Sequence, residues 1–225
     1  MDIPVIPVRI DGTNMLSSHI TFSGTSVSMT DNTVCYGDLV SSLSKVCGKE
    51  TPMLIVDAKG MQTDDIIPEV LRSVRIKHDH WMMTGIRDAG DVMDAFQGNM
   101  SKVVVPYHLT SDTLLREMVE ISDSCIPALF TDRKGVHMKG AGKGIRSVIK
   151  VLEGMGIGKV LVFDVSGDDG WGSMKDLADI IIPYASDTYD AEKIHDLGFP
   201  DVMISGINLF RDVSGRSEIR SCMLP

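Results

Sequence analysis

Two stretches of the chain carry almost the same pattern. Met53-Leu-Ile-Val-Asp57-Ala and Val160-Leu-Val-Phe-Asp164-Val are apolar, largely β-branched runs that stop on an aspartate, and a glycine follows each, at Gly60 and Gly167. A strand buried on both faces reads as a continuous apolar run, because neither face meets water. A carboxylate at its end then marks the mouth of a site. The echo extends further. His80 to Val92 and Lys102 to Val105 share the grammar of Ile180 to Tyr184 and Asp201 to Gly206, and Ile6-Pro7-Val8 matches Ile126-Pro127-Ala128. A second half that repeats the first in this way points to a duplicated half-barrel with its site at the strand ends.

The length of 225 residues suits one α/β domain spanning 1–225. A formal net charge of -9 argues against a nucleic-acid backbone or an anionic membrane as partner. No apolar run approaches the roughly 18 residues needed to span a bilayer. Met1-Asp-Ile-Pro-Val has neither a basic start nor a long apolar segment, so no signal peptide is expected and the chain reads as cytoplasmic. Cys35, Cys47, Cys125 and Cys222 show no zinc-ligand spacing and read as reduced thiols; neither a metal nor a cofactor is expected.

Strand and helix patterns alternate along the chain, which predicts a parallel sheet with right-handed crossovers. Strands are expected at Val5–Ile10, Met53–Val56, Trp81–Met83, Lys102–Val105, Ile126–Phe130, Val160–Phe163, Ile180–Tyr184 and Val202–Ile204. The Ser/Thr-rich, weakly alternating stretch from Asn14 to Met29 reads as a hairpin or loop on the catalytic face. Thr63 or Asp64 is read as the cap of one helix reaching about Ile76, and Ser111 as the cap of a helix over 112–121. Only about two helical turns fit between Ser173 and Asp179, and no final helix is expected from Asn208 onward.

Cys35-Tyr-Gly-Asp38, the Met53–Asp57 strand, Thr84-Gly-Ile-Arg87-Asp-Ala-Gly-Asp-Val92 and Phe163-Asp164-Val-Ser166-Gly-Asp168-Asp-Gly170 together resemble the histidine-biosynthesis barrel family. That family includes the ProFAR isomerase and the cyclase subunit of imidazole glycerol phosphate synthase. The resemblance runs through almost the whole chain in order. It implies a (β/α)8 TIM barrel made of two fused half-barrels, and an Amadori-type acid–base isomerisation of a phosphorylated sugar substrate.

Such a reaction needs one group to protonate the ring oxygen and another to move a proton between carbons. The resemblance places these groups at the ends of the first and fifth strands. Matching Ile6-Pro7 to the family puts Ile10 at the first place and Asp11 one residue on. Counting back from Gly135 puts Thr131 at the second place and Asp132 one residue on. A one-residue displacement turns a side chain to the other face of a strand unless a bulge re-aims it. The candidate catalytic residues are therefore Asp11, Asp132, Thr131 and Asp168. The candidate substrate and phosphate contacts are Asp57, Gly85, Arg87, Asp164, Ser205 and Gly206. Phe163 stands where the family carries a threonine, and Pro106-Tyr107-His108 and Ala185-Ser186-Asp187 replace two of its glycine turns. The rival expectation is a non-catalytic or repurposed barrel acting as a binding or interaction module. The cyclase would add a glutaminase partner on the N-terminal face, which the displaced aspartates argue against.

The remaining features have simpler readings. Gly135 to Gly144 is a glycine- and lysine-rich loop that reads as mobile surface before it reads as an anion clamp through Lys139 and Lys143. His78 and His80 fall at the bottom of a barrel, where residues serve stability. His108 and His137 fall on the active face as single histidines.

Overall fold

In the computed structural model the strand ladder closes on itself. Residues 1–23, 26–48, 50–74, 79–132, 135–138, 142–164 and 170–214 are described. The barrel strands are β1 (Asp2–Asp11), β2 (Met53–Asp57), β3 (His80–Met83), β4 (Lys102–Pro106), β5 (Cys125–Asp132), β6 (Val160–Asp164), β7 (Ile181–Ala185) and β8 (Val202–Ser205). Each pairs in parallel with the next, and β8 pairs with β1 from Asp2 opposite Val202 to Val5 opposite Ser205. The result is a closed, eight-stranded α/β barrel. All eight expected strands are present.

The apolar runs divide by parity. Ile3, Val5, Leu54, Val56, Trp81, Met83, Val104, Ala128, Phe130, Leu161, Phe163 and Met203 fill the barrel interior. Their neighbours Ile6, Val8, Ile55, Met82, Val103, Val105, Leu129, Val162 and Ile204 face the helices. Both faces of each strand are thereby removed from water, which is the physical reason for uninterrupted apolar sequence.

The outer layer consists of α1 (Tyr36–Cys47), α2 (Ala58–Thr63), α3 (Pro68–Ser73), α4 (Ala89–Gln97), α5 (Asp112–Ile121), α6 (Ile145–Gly154), α7 (Thr188–Asp196) and α8 (Gly206–Ser214), with a 3-10 segment at Gly170–Leu177 between β6 and β7. Two expectations are corrected. The helix expected to start from a Thr63 or Asp64 cap begins only at Pro68, as α3, while a separate helix, α2, precedes that cap; the expected end near Ile76 lies outside the described residues. Asp64 ends α2 in the left-handed conformation (φ 53°), and Pro68 opens α3 at its first position. Proline lacks the amide that a helix interior uses and disfavours helical backbone at the residue before it, so the chain restarts at Pro68. The final helix α8 does form. Gly206 and Asn208 weaken its propensity, but Ile207 and Leu209 bury into the outer core, and that packing decides.

Ser111 caps α5 as expected, its Oγ accepting from the Leu114 amide at 3.2 Å. Ser111→Ala should cost about 1 kcal/mol, read as a lower urea midpoint with unchanged slope. Cys35 is disulfide-bonded, against the reading of reduced thiols. Pairing depends on which Cα atoms the fold brings within reach, and linear spacing does not reveal that. Cys47 and Cys125 are free. No helix among the described residues is long and apolar enough to cross a membrane.

Candidate functional site at the barrel mouth

Heights around the mouth follow from the strand registers. Val8 of β1 pairs with Asp57 of β2, and Thr131 of β5 pairs with Asp164 of β6. With the two aspartates as reference, Pro7 and Phe130 stand level with one another on the inward-facing parity. Ile3-Pro4 is then level with Ile126-Pro127. The match through Ile6-Pro7 was three residues out of register, because β1 carries two Ile-Pro steps three residues apart.

Beyond Val8, β1 leaves the barrel and folds back as an antiparallel hairpin with Asn14–Ser17. Asp11 pairs with Asn14 at its exposed tip. It lies three residues, or about 10 Å at ~3.3 Å per residue, past the last barrel pairing. β5 does the same on a smaller scale, with Gly135–Val136 pairing back onto Thr131 and Asp132. Asp132 follows Thr131 directly and shares the face of Phe130. Its Oδ2 lies 3.2 Å from Nε2 of His137. Thr131 is buried on the opposite face. The two displaced aspartates are thus unlike in height and surroundings, and the structure does not bring them together. Asp168 lies outside the described residues.

At the inner mouth the strands present Pro7, Val56, Met83, Pro106, Phe130, Phe163, Tyr184 and Ser205, a ring with no carboxylate. Phe130 and Phe163 stack at 5.1 Å with their planes 12° apart. Tyr184 lies 5.3 Å from Phe163, and His108 meets Phe130 edge-on at 4.9 Å. Above them sits a second hairpin, Ile20–Ser23 with Ser26–Met29, which places Phe22 against Phe163, Phe130 and Tyr184 at 4.9, 5.5 and 5.7 Å. Burial pushes the Tyr184 hydroxyl up to about 12, against the hydrogen bond with Ser205 that pulls it down. The sequence reading missed this cluster. Its available signal was that the chain has only six phenylalanines and three of them fall at Phe22, Phe130 and Phe163.

The candidate phosphate contacts are largely engaged elsewhere. Asp57 is fully buried and faces away from the axis; its Oδ1 accepts from the Gly60 amide at 2.9 Å and its Oδ2 from Thr84 Oγ at 3.1 Å. Burial raises its pKa, against the opposing pull of the Gly60 amide and Thr84. Gly85 is buried against the backbone of Asp64, Asp65 and Gly60. Arg87 pairs with Asp65 at 2.9 Å and with Asp91 at 3.3 Å. Ser205 is buried at the inner mouth, and its Oγ takes the Asn208 amide at 3.5 Å. Gly206 opens α8 with the Val5 carbonyl close beside it.

Asp164 lies elsewhere, on the rim of a cavity of about 650 Å³ that Trp171, Ala185, Ile194 and Leu197 also line. These four residues belong to the outer core, so the cavity lies beside the barrel, between α7 and the 3-10 segment, and Tyr184 of the inner mouth lines it from the barrel side. Among the described residues no group of His, Cys, Asp and Glu stands close enough to hold a metal. No family model matches the chain, and no curated protein matches it.

Proposed function

We propose that this chain is a divergent relative of the histidine-biosynthesis barrels that keeps their scaffold without the Amadori isomerisation, and acts as a binding barrel. The observation that carries this reading is the inner mouth: at the ends of β1 and β5, the two strands to which the resemblance assigns the acids, the inward-facing residues standing level are Pro7 and Phe130, and the Phe163 ring stacks on Phe130. Neither proline nor phenylalanine exchanges a proton. The paired hairpins after β1 and β5, together with the echo of Asp57 and Asp164, support descent from two fused half-barrels.

A second reading rests on one contact. Asp132 Oδ2 and His137 Nε2 lie 3.2 Å apart at the rim, an ion-pair contact without hydrogen-bond alignment that places a carboxylate beside an imidazole, the two group types that proton transfer uses. On that reading the chain is an isomerase of a phosphorylated sugar, with Ser205 and Gly206 left at the anion.

Complementation tests the second reading for the ProFAR substrate. Soluble expression in a strain lacking the ProFAR isomerase is expected to give no growth without histidine. Growth that Asp132→Asn abolishes would overturn the binding-barrel reading and establish the isomerase.

A further inference from the structure

The cover of the mouth is separable from the barrel. Strands Ile20–Ser23 and Ser26–Met29 form a two-stranded sheet of their own, outside the barrel ladder. An isolated hairpin of this size is marginal in water, so its lower face holds it in place. That face is Ile20, Phe22, Val27 and Met29, packed on the barrel interior, while Thr21, Ser23, Ser26 and Ser28 point to solvent. A polar tie joins it to α2, where Gln62 Nε2 donates to the Val27 carbonyl at 2.8 Å.

The aromatic residues at the mouth differ in burial. Phe130 and Phe163 are fully buried, whereas Phe22 is only partly so. The Phe22 ring lies in a slot whose floor is the Phe130–Phe163 stack and whose side is the Tyr184 edge. We infer that the mouth is a binding site for a flat aromatic ring, and that Phe22 holds the ring's place when the site is empty. This inference rests on the binding-barrel reading and names its ligand class. Faces and edges offered together suit another ring in offset or edge-on contact. A sugar would shed the hydration of several hydroxyls against the Phe130, Phe163 and Tyr184 rings, a poor exchange.

The test uses indole as the probe, with ribose 5-phosphate as the contrast. Each is titrated into the wild-type protein, Phe22→Ala and Phe22→Trp, and amide NMR shifts are followed. Wild type is expected to bind indole saturably, with shifts at Phe22 and Val27 in the hairpin as well as at Phe130 and Phe163, neither of which lines the cavity beside α7. Phe22→Ala should bind about tenfold more tightly, because no internal ring competes for the slot. Phe22→Trp should bind more weakly than wild type.

Binding to Phe22→Ala alone would overturn the inference, since an engineered apolar cavity takes up small rings without being a native site. Shifts confined to the cavity beside α7, or saturable binding of ribose 5-phosphate in place of indole, would overturn it as well. Failure here leaves the complementation result untouched. Growth in that assay removes the underlying reading whatever indole does.

Discussion

Gly85→Ala is expected to destabilise the protein by about 3 kcal/mol, the upper end of what overpacking costs, because backbone must be forced apart. A methyl group at this position would lie 2.2 Å from the Asp65 amide nitrogen, 2.5 Å from the Gly60 carbonyl oxygen and 2.6 Å from the Asp64 carbonyl carbon. All three are backbone atoms, so no side-chain rotation relieves the clash. Either the β3 end or the turn after α2 must move. Gly60 reinforces the lock from the other side, since a Cβ there would meet Thr84 Oγ at 2.3 Å and the Asp65 carbonyl at 2.6 Å. The matched control is Gly37→Ala in α1, which has open space around the added carbon. It should be neutral or stabilising by up to about 1 kcal/mol, as alanine loses less conformational freedom in a helix. Urea unfolding of both variants measures the contrast. Near-equal midpoints would mean that the β3–α2 interlock is loose in solution. Because α2 carries Gln62, its displacement should also weaken the tie to Val27 and raise hairpin exchange in Gly85→Ala.

The barrel was legible because burial on both faces writes itself into every strand as an unbroken apolar run. The Ser111 cap was legible for the same kind of reason, since it accepts an orphan amide three residues on and needs no distant partner; the cap expected at Thr63 or Asp64 was not, because Asp64 instead closes α2. Registers were harder. The hydrogen-bond ladder, not the Ile-Pro dipeptide, decides which residue of β1 is level with Phe130, and two such dipeptides three apart make the sequence match ambiguous.

Gly85 was expected as a phosphate contact, whereas what requires a glycine there is backbone from Asp64 and Asp65, some twenty residues away, which no local pattern announces. The aromatic mouth was illegible for a related reason. Phe22, Phe130, Phe163 and Tyr184 come from four separate elements, and only closure of the barrel makes them neighbours. Phe163 alone carried a hint, as an apolar residue where the family resemblance implied a hydroxyl.

Asp57→Ala is expected to cost about 3 kcal/mol, and Asp57→Asn less than about 1 kcal/mol. Alanine removes an N-cap, worth about 1 kcal/mol. It also removes the closer acceptor of the buried Thr84 hydroxyl, which keeps only the Asp65 carbonyl at 3.4 Å, and leaves a cavity in place of the carboxyl group, a further penalty of about 1–3 kcal/mol. Asparagine keeps the cap oxygen for Gly60, and Thr84 can accept from the new amide because a hydroxyl does either. The pH dependence separates capping from charge. Burial raises the Asp57 pKa above its ordinary value of 3.8 in the folded state. Below that ordinary value both folded and unfolded chains hold the proton, and the group contributes no slope. Between it and the raised folded value the folded chain keeps a proton that the unfolded chain has released, so stability falls as pH rises through this window. Asp57→Asn carries no such proton. Its stability, measured by urea unfolding from pH 4 upward, should therefore decline less steeply than wild type, and the two curves should converge or cross as pH increases. Parallel curves would mean that Asp57 is ionised at no net cost, held by its amide and hydroxyl donors against the burial that opposes it.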